Sequence, residues 1–177
     1  PRYNSSSSSS SAVAPDYNTW FYKTVETQPD GSQQVVFANF AGQTMLTVLQ
    51  AGSSGSSSSS GAPLEQWATF IEYDAQGRQI RTALPSAVTG FDENYDDLLH
   101  FQTGLGKYEY LRDHDGLLQI TEYYTAGSSS SSSTPNAEPD GYVKAELIQR
   151  GQLGSLVPQR DLEYSSHTAG GVTVYPV

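Results

Sequence analysis

Three histidines, His100, His114 and His167, are the only side chains in this 177-residue sequence with ordinary pKa values near neutrality, and so the natural bases for a serine nucleophile. A nucleophilic triad also needs the serine and an orienting acid within hydrogen-bond reach, and none of the three lies in a motif such as G-x-S-x-G. Catalysis is therefore not expected, and His167 is expected to cap or line the turn at 168–171 (TAGG). Asp113, His114 and Asp115 put three potential ligands in one turn, and calcium favours dense oxygen ligands. Asp113 and Asp115 are thus calcium candidates. A plain solvated turn stands against them, because the Asp-x-Asp-x-Asp-Gly spacing and distal Glu of an EF-hand loop are missing. Asp92, Glu93, Asp96 and Asp97 form a second acidic group with the same two readings. Paired carboxylates can hydrolyse glycosides only when they face each other across a sugar cleft, which adjacency in sequence does not supply. Trp20, Phe21, Tyr22, Tyr108, Tyr110, Tyr123 and Tyr124 could stack sugars, but alternating aromatics in strands more often form core and cross-strand pairs. No other cofactor is implied.

The elements that must carry these residues are strands. The stretches 19–27 (TWFYKTVET) and 33–39 (QQVVFAN) flank the turn Pro29-Asp30-Gly31, and 43–50 (QTMLTVLQ) follows Asn39-Phe40-Ala41-Gly42, giving a three-stranded meander. Two further hairpins are expected: 67–73 (WATFIEY) with 79–84 around Asp74-Ala75-Gln76-Gly77, and 108–112 with 117–125 around Asp113-His114-Asp115-Gly116. The stretches 142–149, 156–166 and 172–177 complete the set, separated by glycine-containing turns. Tyr, Phe, Val, Thr and Ile dominate these runs, as a pleated, half-buried surface requires. Only 92–102 (DENYDDLLHFQ) has early acids and apolar spacing suited to a helix, and at most a short helix or helical turn is expected there. The expected fold is all-β: consecutive antiparallel hairpins and meanders forming a repeat-like sheet or sandwich. Residues 16–177 are expected to form a single module, with 1–15 as an N-terminal extension or linking strand.

Composition narrows the function classes. A net charge of -10 with only nine Lys and Arg leaves no clustered cations to displace counterions from a phosphate backbone, so nucleic acid and anionic membranes are poor partners. Cysteine is absent, which removes disulfides, thiolate nucleophiles and Cys-ligated metals. No run approaches the roughly 18 apolar residues of a membrane helix. The sequence begins at Pro1, as a processed product or an interior slice of a longer chain would. Serine tracts at 5–11, 53–60 (broken by Gly55) and 128–133 cannot bury apolar area and are expected as exposed loops. They are either O-glycosylated or positions where serine stands in for other residues.

A strand, a polar turn ending in glycine and a return strand recur at Pro29-Asp30-Gly31, at 39–42 (NFAG), at 74–77 (DAQG) and at 113–116 (DHDG), with irregular spacing. The sharpest copy is 70–78 (FIEYDAQGR). Its Tyr73-Asp74-x-x-Gly77-Arg78 core resembles the RHS, or tyrosine-aspartate, repeat family. The stretch 115–125 (DGLLQITEYYT) resembles a decayed copy lacking the Tyr-Asp pair and the Arg. PDGS at 29–32 with NFAGQ at 39–43, PSAVTGFDENYDDLL at 85–99 and SHTAGGVTVYPV at 166–177 also resemble stretches of very large bacterial RHS-repeat proteins. The resemblance implies β-hairpins winding into a continuous sheet or shell, secreted or on the cell surface. In that family the repeats are scaffolding, and toxin or enzyme activity resides in separate terminal domains, none of which is recognisable here. In such a turn the tyrosine packs its ring and hydrogen-bonds its hydroxyl, the Asp and Gly shape the turn, and the Arg is placed to reach an acid or carbonyl on a neighbouring strand.

These readings lead to a non-enzymatic structural unit of an extracellular or cell-surface β-rich assembly, joined to identical or adjacent units by strand pairing. The segment before Asp16 is one candidate joining strand. The C-terminal run containing Val172, Val174, Tyr175 and Val177 is the other, because its apolar residues suit a donated or shared strand. A carbohydrate-binding surface module and a segment of a toxin-encapsulating shell are the alternatives.

Overall fold

A computed structural model describes residues 16–52, 65–125 and 138–177, and these form an all-β chain with no helix. The three serine tracts and the 1–15 extension lie outside the described residues. The main sheet has eight strands, all antiparallel. In spatial order they are β1 (Trp20–Thr27), β2 (Gln33–Asn39), β3 (Thr44–Gln50), β4 (Gln66–Tyr73), β5 (Gln79–Ala83), β8 (Leu117–Tyr123), β9 (Val143–Arg150) and β10 (Leu156–Asp161). Two small hairpins pair outside the main sheet: β6 (Phe101–Gln102) with β7 (Lys107–Tyr108), and β11 (His167–Ala169) with β12 (Val172–Val174). Spatial order thus follows chain order, apart from one insertion between β5 and β8.

Alternation along the strands decides which face is buried. In β2, Val35, Phe37 and Asn39 are buried while Gln34, Val36 and Ala38 are only partly covered. The registers then line up Phe37, Leu46, Phe70, Ala83 and Leu118 in one cross-strand row, with Val35, Val48 and Ala68 in the row beside it. The insertion, residues 84–116, lies over this face and contributes Ala87, Val88, Leu98, Leu99, Tyr108 and Leu111 to the same core. Phe91 meets Phe37 with ring centroids 5.5 Å apart, and Tyr108 meets Phe70 at 5.5 Å, both edge-to-face. The architecture is therefore one eight-stranded sheet with a largely irregular cover that includes the small β6–β7 hairpin.

One expected hairpin is absent, and the 92–102 segment, where at most a short helix or helical turn is expected, holds only turns and β6. The turn at 113–116 does not close a hairpin: β7 pairs with β6, while β8 pairs with β5 and β9. Gly116 instead makes a corner, with φ +83°, where an added Cβ would lie 2.3 Å from the Ala87 backbone, and its carbonyl accepts the Gly151 amide at 2.9 Å. The segment 92–102 forms no helix, because its aspartates capture the amides a helix would need. The Asp97 carboxylate accepts the amides of Leu99, His100 and Phe101 at 3.0, 2.6 and 2.7 Å, and Leu98 and His100 are left-handed, with φ of 65° and 53°.

Candidate functional site

Tyr73, Asp74, Gly77 and Arg78 close the β4–β5 hairpin at the turn 74–78. The Asp74 amide donates to the Arg78 carbonyl at 2.9 Å, and the Gly77 amide returns to the Asp74 carbonyl at 3.0 Å. Asp74 Oδ1 accepts the amides of Gln76 and Arg78, both at 2.9 Å, holding the loop from inside. Gly77 takes φ +76°, where a side chain is disfavoured. Arg78 Nε donates to Asp74 Oδ2 at 2.6 Å, and its guanidinium lies 4.5 Å from the Tyr123 ring centroid on β8. The arginine therefore pairs with the acid of its own turn, and the neighbouring strand offers it an aromatic face in place of the expected acid or carbonyl.

Tyr73 reaches the other way. Its hydroxyl donates to the Thr44 carbonyl at 2.7 Å, and the Asn18 side chain bridges its backbone amide and carbonyl, each at 2.8 Å. The turn at 39–43 repeats the scheme: the Asn39 amide donates to Gln43 O at 2.9 Å, the Gly42 amide to Asn39 O at 3.0 Å, and Asn39 Oδ1 accepts the amides of Ala41 and Gln43, each at 3.0 Å. The two turns touch, because Gln43 Nε2 donates to the Gly77 carbonyl at 2.9 Å. Tyr17 fills the remaining space, its ring 5.0 Å from that of Phe40 and so close to Gly77 that an added Cβ would fall 2.6 Å from a ring carbon. Asn18, Tyr17 and Gln43 are thus working members of the motif that sequence reading did not identify.

The electrostatics suit a joint. Burial favours protonation of the Asp74 carboxyl, but hydrogen bonds from the Arg78 amide and guanidinium and the Gln76 amide outweigh it and hold its pKa below the ordinary value. Burial pushes the Tyr73 hydroxyl up. Neither group is poised to exchange protons near neutral pH.

The other candidates are dispersed. Asp113 Oδ2 pairs with Lys107 Nζ at 2.6 Å while Oδ1 accepts Gln152 Nε2 at 3.0 Å, and Asp115 pairs with Arg150 at 2.6 Å. Hydrogen bonds from those basic side chains hold both carboxyls below their ordinary range. Among the described residues no three of His, Asp and Glu are grouped to hold a metal ion. Glu93 binds Lys23 at 2.6 Å, Asp92 Oδ1 caps Asn94 at 2.9 Å, and Asp96 O accepts the Trp20 amide at 2.9 Å. The His100 ring stacks on Tyr95 at 3.8 Å and meets the Glu109 carboxylate through Nδ1. His167 sits in β11 opposite Val174 and does not line the turn.

Among the aromatics, Trp20 and Tyr108 are buried, Tyr22 is exposed, and Phe21, Tyr110, Tyr123 and Tyr124 are partly covered. Tyr124 belongs to a second cluster, where Tyr164 packs between it and Tyr142 at 6.0 and 5.2 Å and Tyr175 meets Tyr142 at 5.6 Å. Tyr175 is thereby tied to its own chain, and the Pro176 carbonyl accepts the Ser165 amide at 3.1 Å. Val172, Val174 and Val177 remain exposed.

No family model matches this chain, and no curated protein or solved structure matches it.

Proposed function

We propose that this chain is a non-enzymatic structural unit of RHS-like character, working outside the cell or on its surface in an assembly joined by strand pairing. The observation that carries this reading is the open sheet. Among the described residues the eight strands end in β1 and β10, whose side chains are exposed along nearly their whole length, and unpaired edges are templates for another chain. The Tyr73–Arg78 motif supports the same reading, since its polar groups bind within the turn, to the neighbouring turn at 39–43 and to Thr44 beside it, and its arginine covers Tyr123.

A carbohydrate-binding role has less support. Trp20 spends its indole N–H on the Tyr95 carbonyl at 3.2 Å, and Arg78 covers one face of Tyr123. Electron microscopy with sedimentation tests the proposal: fibres or extended sheets are expected, and monodisperse 19.1 kDa particles at every concentration would overturn it.

A further inference from the structure

The two edges of the main sheet are not equivalent. β10 contains Pro158, which has no amide to offer, a register break between Pro158 and Arg160, and the charges of Arg160 and Asp161. Those are the devices by which proteins blunt an edge. β1 has neither the proline nor the register break from Tyr22 to Thr27, where its pairing with β2 is continuous; its charges are Lys23 and Glu26. Its lysine does not guard the edge. Lys23 folds back, with Nζ 5.4 Å from the Phe37 ring centroid and 2.6 Å from Glu93.

The core rows show where a partner would add. The row Lys23, Phe37, Leu46, Phe70 is sealed at the edge by that lysine clasp. The neighbouring row, Val25, Val35, Val48, Ala68, is not. Val35, Val48 and Ala68 are 5%, 0% and 7% exposed, whereas Val25 at the edge is 49% exposed. A buried apolar row runs off the side of the sheet.

We infer that β1 is a self-pairing edge, to which β1 of a second copy adds antiparallel with the two Val25 side chains facing each other across a twofold axis. This rests on the strand-pairing reading above and names its partner. An axis perpendicular to the sheet keeps each face continuous, so the row of valines passes from one copy into the next. In this register Lys23 lies opposite the partner's Thr27, and Thr24 opposite the partner's Glu26, so no like charges meet. Pairing of β1 with β10 would instead meet Pro158 and the bulge. One strand pair buries less than the roughly 1,200–2,000 Å² of a stable complex, so the dimer is expected to depend on concentration.

The chain has no cysteine, so Val25→Cys introduces a single thiol, which makes the test direct. Mild oxidation at a concentration where the wild type dimerises should convert most of the Val25→Cys chain to a covalent dimer, and Thr24→Cys should give little. Val25→Lys should weaken dimerisation at least about tenfold by placing like charges opposite each other, with an unchanged unfolding curve because the site is half exposed. Assembly of the wild type, with no cross-link in the Val25→Cys chain and no effect of Val25→Lys, would overturn this inference and leave the strand-pairing reading standing. Preferential cross-linking of Thr24→Cys would overturn the register. A monomer whose 22–27 amides resist hydrogen exchange would mean that the chain covers its own edge, which also overturns it. A monomer at every concentration, with no assembly by microscopy, would overturn both.

Discussion

The turns at 39–43 and 74–78 lie side by side at one end of the sheet and share one hydrogen-bond scheme, yet one is built on asparagine and the other on aspartate. Both side chains accept the same two loop amides, and both loops end on a left-handed glycine. The carboxylate charge is therefore not what shapes the loop. What it adds is the Arg78 pair, which carries the guanidinium out to Tyr123 and links the β4–β5 hairpin to β8. Asn39 spends its extra group differently: its Nδ2 donates to the Tyr17 carbonyl at 2.9 Å and to Gln43 Oε1 at 3.0 Å, so the amide binds inward where the acid binds outward.

Removing the two acceptors should break the comparison most strongly. Asn39 is fully buried, so Asn39→Ala leaves several polar groups unpaired and should cost roughly 3 kcal/mol in urea unfolding, against about 2 kcal/mol for Asp74→Ala in its partly exposed loop. Asp74→Asn should recover most of the loss, because it recreates the scheme of the other turn and gives up only the ion pair. Equal costs for Asp74→Ala and Asp74→Asn would show that the ion pair, and not the loop acceptor, holds the second turn.

The glycines sharpen the comparison at a smaller scale. Gly42 and Gly77 have φ of +78° and +76°, but an added Cβ meets nothing within 4 Å at Gly42 and the Tyr17 ring at Gly77. Gly42→Ala should cost about 1 kcal/mol from backbone strain alone, and Gly77→Ala roughly 1 kcal/mol more as Tyr17 is pushed aside. Thermal unfolding of both variants reads the difference.

The smallest effect is in pH. Asp74 has its folded pKa depressed below its ordinary value of 3.8, so its contribution is full above that value and is lost as pH falls through the lower folded value. The asparagine turn has no such group. Asp74→Asn should therefore lose less stability than the parent chain between about pH 5 and pH 2, measured by unfolding at each pH.

The three hairpin turns ending in Gly31, Gly42 and Gly77 were legible because each pairs a polar loop with glycine at the left-handed position, and alternation in the flanking runs fixed the strands. The Asp113–Gly116 stretch carries the same letters, but its glycine serves close approach to Ala87, a contact that only the folded chain reveals. At 92–102, where at most a short helix or helical turn is expected, the chain makes turns and no helix, since Asp97 offers the backbone a competing partner. Within the motif, the roles of Tyr73, Asp74 and Gly77 followed from residue type. Asn18 did not, because it meets Tyr73 from 55 positions away and no spacing rule spans that gap.

The near match between chain order and strand order has a consequence for how the molecule is made. A meander can be laid down one hairpin at a time while the chain is still emerging, since each new strand needs only the one before it. The cover is different, because residues 84–116 must arrive before the row through Phe37, Leu46 and Phe70 is sealed. Until then the nascent sheet shows its oily side. The hazardous interval in biosynthesis runs from the pairing of β2 with β3 until the cover is complete at residue 116, and a helper that shields apolar surface would be needed over that span.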